Sequence, residues 1–172
     1  MERIAYLIDQ LNDGIGRLLA WLTLVMVVVT FGVVVLRYLF DLGSIALQES
    51  ITTMHALLFM LGAAYTLRHE GHVRVDIFYR RFGVRGRAWV DLLGVVVLLV
   101  PVTLFIIWVS WEYVASSWRL HEGSREAGGL PGVFLLKSVI PLMALLLLLQ
   151  GVAMGWRAFA LLRQPQGLRD DA

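Results

Sequence analysis

Glu49, Thr52, Thr53 and Ala56 recur three and four residues apart, so on a helix they share one stripe, with His55 beside it. A carboxylate, hydroxyls and an imidazole inside an apolar run are what proton carriage would use. Glu49, however, stands at the mouth of that run, at headgroup depth. A structural ion pair with Arg37 across a short turn, or contact with a partner subunit, is expected there in preference to proton transfer. His69 and His72, three apart on one turn, form the pair with chelating spacing. No further ligand set stands near them, and a solvated or capping role is expected, with no metal. His55 is the single histidine within an apolar run, so two facing histidines for a haem are not available. The chain has no cysteine, which excludes thiol catalysis and disulfides. It carries no phosphate-binding Walker loop and no recognisable Ser/His/Asp arrangement. Asp91 and Glu112 lie near the ends of apolar runs, not in their middles. No catalytic residue and no cofactor is expected, and the chain reads as a non-enzyme.

The elements that position these residues follow from composition. The 172 residues are 59% hydrophobic, with a mean hydropathy of +0.75. A soluble domain of this size does not need so much apolar surface, and lipid is the solvent that accepts it. Four uncharged runs are each about 20 residues long, enough to cross a hydrocarbon layer of about 30 Å. Only helices keep the backbone satisfied in such a layer without closing a barrel. The expected fold is an all-α integral membrane protein with four transmembrane helices in one domain. The spans fall at 18–40, 48–68, 89–112 and 133–162, with an arginine-rich loop at 69–88, a second loop at 113–132 and a tail at 163–172.

Residues 1–17 place Ile4, Leu7, Ile8, Leu11 and Ile15 at helical spacing, with Glu2, Asp9 and Asp13 on other faces. The pattern suits either an amphipathic helix lying at the membrane surface or an extension of the first span into water. In the arginine-rich loop, Val75, Phe78, Tyr79 and Phe82 form one face of a short interfacial helix, with Arg74, Arg80 and Arg81 reaching towards anionic lipid. Gly62, Ala63 and Ala64, and again Gly151 and Gly155, are small residues that permit close helix approach. Gln150 is expected to hydrogen-bond a neighbouring helix, and Pro101 to kink the third span. The second loop holds Trp118, Arg119, Glu122 and Glu126, followed by Gly128-Gly129-Leu130-Pro131-Gly132, with Pro131 placed to start the last helix. It reads either as a hydrated loop with Trp118 resting in the interface, or as a docking surface for a soluble partner.

Lysine and arginine set the orientation. With both termini and the 69–88 loop on the cytoplasmic side, that side holds Arg3, Arg17, Arg68, Arg74, Arg80, Arg81, Arg85, Arg87, Arg157, Arg163 and Arg169, eleven in all. The other side holds four, Arg37, Arg119, Arg125 and Lys137. The excess selects N-in, C-in. The net charge is only +2 and the positive residues are concentrated in one loop, so nucleic acid is not an expected partner.

Arg37-Tyr-Leu-Phe40, Gln48-Glu49, Leu61-Gly-Ala-Ala-Tyr65 and His72-Val-Arg-Val-Asp76 together give the chain its family resemblance. It resembles the small membrane subunit of tripartite ATP-independent periplasmic (TRAP) transporters, the DctQ-like family, along nearly its whole length. The Gly128–Pro131 turn is similar to that of the mannitol/chloroaromatic-type subgroup. The resemblance implies a bacterial inner-membrane protein with a large membrane subunit, a periplasmic binding protein and membrane lipids as partners. It implies that the large subunit carries substrate and sodium and moves, while the small one supports its stationary part during uptake of an organic acid anion, such as a 2-oxo acid. Interface or structural roles are then expected for Arg37, Gln48, Glu49, Thr52, His55, Gly62, His72, Asp76 and Gln150. Transient docking of the binding protein is expected at Trp118, Arg119, Glu122, Glu126, Gly129 and Pro131. The alternatives are a self-sufficient homo-oligomeric transporter and a membrane regulatory or assembly protein.

Overall fold

The computed structural model describes residues 1–72 and 76–163, apart from the side chains of Asp76 and Phe78. The described residues are helical, with short connections and no strand. Helix α1 spans Glu2–Leu39, α2 Ile45–Arg68, α3 Asp76–Tyr79, α4 Val84–Leu93, α5 Val100–Leu120 and α6 Val133–Arg163. A π-helical stretch, Gly94–Leu99, joins α4 to α5 in one rod. The rod, α1, α2 and α6 are the four helices long and apolar enough to cross a membrane.

Helix α6 is the centre. It packs against α1, α2, α4, the π stretch and α5, while α1 pairs with α2. Small residues make this possible. Ala144, Gly151, Ala153, Gly155 and Ala158 are all buried on α6. A Cβ at Gly151 would overlap the Leu99 side chain, and one at Gly155 would lie 3.3 Å from Val95 Cγ1. The two glycines therefore face the π stretch, and the small-residue spacing is a contact between α6 and the rod. Gly62 meets Leu19 across the α1–α2 seam, and Ala64 beside it is 1% exposed.

Pro101 sits in the first turn of α5. A proline ring in a regular helix would strike the carbonyl four residues back. Here the preceding turns are wider, and the Val100 N–H donates to Val95 O, five residues back. The expected disturbance at Pro101 is thus spread over a π stretch before it. The last helix begins at Val133, two residues after Pro131.

Of the two forms that suit residues 1–17, a separate amphipathic surface helix is not the one present. Helix α1 continues unbroken from Glu2 into the first span, about 57 Å in all at 1.5 Å per residue. Its buried face is Ala5, Ile8, Asp9, Asn12 and Leu19, and Ala5 and Ile8 pack with Ala153 of α6. Ile4, Leu7, Leu11 and Leu18 point outward. The side facing the protein is therefore the one that holds Asp9 and Asn12. Among its described residues the arginine-rich loop holds the single turn α3 and, from Val84, the start of α4; Arg74, Val75 and the side chain of Phe78 lie outside the described residues.

Candidate functional site: two polar clamps on the bundle

Polar side chains gather at the two ends of the bundle. The first group lies where α1 passes the end of α2. Asp9 is 7% exposed and Asn12 only 1%, in spite of their polarity. Asn12 Nδ2 donates to Gln150 Oε1 at 2.7 Å, and Gln150 Nε2 donates to Asp9 Oδ1 at 3.1 Å. Arg157, two turns further along α6, pairs with the Asp9 carboxylate. Arg68, in the last turn of α2, lies 3.7 Å from Asp9 Oδ1 and also pairs with Asp13. His69 caps α2, its ring sits against Tyr65, and its Nε2 is 3.0 Å from Asp13 Oδ1. Two carboxylates thus meet two guanidiniums across three helices. Of the four, Asp9 is the buried one, and its burial is tolerated because the carboxylate is paired and hydrogen-bonded.

The sequence pointed to Gln150 as a helix-bonding residue and to His69 as a cap. It missed Asp9, Asn12, Asp13, Arg68 and Arg157 as one group. The available signal was the polar pair Asp9 and Asn12 on one helical face, matched by Gln150 and Arg157 seven apart on another.

The second group lies at the opposite end. Glu49 does not pair with Arg37, which is exposed in the last turn of α1. Its carboxylate instead holds the loop between α5 and α6. The Ser124 hydroxyl donates to Oε1, and the Leu130 N–H donates to Oε2 at 2.6 Å. Helix geometry explains the change of partner: Glu49 is on the side of α2 that faces α6, whereas Arg37 projects away from the bundle. The loop closes on itself, since the Ser124 N–H donates to Leu130 O at 2.9 Å and Gly129 N–H to Glu126 O at 3.0 Å. Gly128 adopts a φ of +82°, which favours glycine. A Cβ at Gly129 would lie 2.7 Å from Glu49 Oε2, so glycine lets the loop backbone reach the carboxylate.

Glu122 is the loop's other fixed point. The Ser117 hydroxyl donates to it at 2.7 Å, and the Lys137 ammonium pairs with the same oxygen. That ammonium first, and the hydroxyl second, hold the Glu122 carboxyl below its ordinary pKa. Trp118 is not free: its Nε1–H donates to Ser138 Oγ at 2.7 Å, and its ring meets Phe134 edge-on at 4.7 Å. Arg119 pairs with Glu112 at 2.5 Å, both exposed. Glu126 is exposed on the loop, and Pro131 lines a groove of about 610 Å³ below it, between α2 and α6.

The remaining expected residues lie apart from both clamps. Gln48, Thr52 and His55 are exposed along α2. His72 is exposed beyond the end of α2, apart from His69's contact with Asp13. The side chain of Asp76 lies outside the described residues. Among the described residues no three His, Cys, Asp or Glu side chains are grouped to hold a metal. What the arrangement does chemically is to clamp helices: α1, α2 and α6 at one end, and α2, the loop and α6 at the other.

Against known proteins, a family model described as tripartite ATP-independent periplasmic transporters, DctQ component, matches residues 26–161. No curated protein and no solved structure matches the chain.

Proposed function

This chain belongs to the DctQ component family of tripartite ATP-independent periplasmic transporters, and from that we propose that it is the fixed framework on which the large membrane subunit works. As a family member it is the small membrane subunit of such a transporter, a multi-pass membrane protein that acts together with a large membrane subunit and a periplasmic binding protein. The finer reading is ours. The large subunit carries an organic acid anion inward on a sodium gradient, and this chain widens and steadies its stationary part in the bacterial inner membrane. Both termini and the arginine-rich loop lie in the cytoplasm, as the eleven-to-four distribution of basic residues supports. The loop between α5 and α6 then faces the periplasm, where Arg119, Glu126 and the exposed edge of Trp118 are offered to the binding protein. The Gly128–Pro131 turn is the feature behind a placement in the mannitol/chloroaromatic-type subgroup.

The observation that carries the proposal is the clamping of both ends. Asp9 ties α1 to Arg157 of α6 and Arg68 of α2, and Glu49 ties α2 to the loop that leads into α6. Polar groups spent on such internal links rigidify a bundle. Reconstitution in vesicles is the test. This chain, the large subunit and the binding protein together should give sodium-driven accumulation of a carboxylate, and omission of the large subunit should abolish it. Accumulation in vesicles holding this chain alone would refute the proposal.

A further inference from the structure

The outward face of α2 carries polar side chains from headgroup depth into the bilayer. Gln48, Thr52, His55 and Phe59 are all exposed and follow one another at steps of four, three and four, a single line along the helix. The Thr52 hydroxyl turns back onto Gln48 O at 3.4 Å and is satisfied within the helix. The His55 ring has no such outlet, since among the described residues nothing hydrogen-bonds it. His55 stands six residues beyond Glu49 in α2, about 9 Å along the axis from headgroup depth and inside a hydrocarbon layer of about 30 Å. Lipid tails offer an imidazole neither donor nor acceptor.

Beside this line, α2 and α6 border the groove of about 610 Å³, walled by Thr52, Thr53, Leu57, Leu136 and Val139 below Glu49. Thr52 belongs to both the line and the groove, so the two form one continuous surface. Taking the chain as the small subunit, we propose that this face of α2 seats a membrane helix of the large subunit. That helix sets a hydrogen-bonding group against His55 and an apolar side chain in the groove.

A second copy of this chain fits less well. Two copies related by an axis along the membrane normal meet residue for residue at equal depth. Groove would then face groove, and neither would be filled. Phe59, the ring that projects from this line at 76% exposure, lies about 9 Å along the helix from Thr53 and about 3 Å from Leu57, so a symmetric partner's ring at equal depth would reach only the lower end of the groove. A lipid chain would fill the groove and leave His55 unanswered.

The test uses the chain co-expressed with its large subunit. A photoreactive phenylalanine analogue is placed at position 59, or at Val97 on the opposite rod, which is 60% exposed. Irradiation should join the chain to the large subunit from position 59 and not from position 97. His55→Leu should lower recovery of the large subunit about tenfold at unchanged membrane level, and His55→Gln, which keeps a donor and an acceptor, should restore most of it. An adduct between two copies, an adduct to lipid alone, no adduct from position 59, capture from position 97, or full recovery with His55→Leu would each overturn the assignment of this face. The scaffold proposal survives those results as long as the unaltered chain still recovers the large subunit. Failure of the unaltered chain to recover it sinks both.

Discussion

The carboxylate of Glu49, near the start of α2, accepts the backbone N–H of Leu130, eighty-one positions later, at 2.6 Å. With the Ser124 hydroxyl on its other oxygen, the same group pins both arms of the loop that precedes α6. Glu49→Ala should release those arms. Trypsin cleavage after Arg125, which is exposed on the loop, should quicken by about tenfold, since a lost local link raises the open population directly. Glu49→Gln, which keeps one acceptor, should fall between. Equal cleavage of all three proteins would remove Glu49 from this role.

Acid should loosen the same loop through Glu122. Its pKa is lowered in the folded chain, chiefly by the Lys137 ammonium and then by the Ser117 hydroxyl. A carboxyl with a depressed folded pKa contributes stability that is complete above its unfolded value of about 4.3. That contribution is lost as pH falls through the lower folded value. Amide exchange of the loop, corrected for its intrinsic rate, should therefore be flat from neutral pH to about 5 and rise in stronger acid. Glu122→Gln should reduce the acid-dependent rise, the remainder belonging to the Glu49 carboxylate that holds the same loop. An identical rise in that variant would assign it to another group.

At the other end, Gln150 is fully buried between Asn12 and Asp9. Gln150→Leu removes a donor from Asp9 and an acceptor from Asn12, and should cost about 1–2 kcal/mol. Asn12→Leu combined with Gln150→Leu should cost less than the sum of the single changes, because no amide is then left unpaired. Thermal unfolding in detergent reads both quantities. Additive losses would mean that the two amides do not depend on each other.

Orientation is open to direct labelling because the chain has no cysteine. In intact spheroplasts, a membrane-impermeant maleimide should label Arg125→Cys and leave Arg81→Cys unlabelled until the cells are lysed. The reverse pattern would invert the proposed topology.

The spans were legible in the sequence because about 20 apolar residues in a row have few other uses. The inward face of α1 was not. In water an apolar stripe marks the buried side, but lipid accepts apolar side chains outside, and here Ile4, Leu7 and Leu11 face out while Asp9 and Asn12 face in. Glu49 stood out as a polar residue needing a partner, but the candidates offered were the nearest cation in sequence, Arg37, and a partner subunit. Its actual ligands, Ser124 and the Leu130 amide, lie across the bundle, and a backbone N–H has no signature in a sequence. Gly151 and Gly155 were visible as a spacing. That they face a π stretch could not be read, because the wider turns arise from Pro101 and the helix packed against it.

The central claim is that this chain is a fixed frame and that its helices need not move for solute to pass. A Cβ built at Gly16 lies 2.6 Å from Tyr65 Cγ, so Gly16→Cys with Tyr65→Cys brings two sulfurs together across the α1–α2 seam once the ring is gone. In the assembled transporter, sodium-driven uptake with this disulfide closed should match uptake after its reduction. Uptake that collapses on oxidation and returns with reductant would contradict the account, because it would show that α1 and α2 must part during transport.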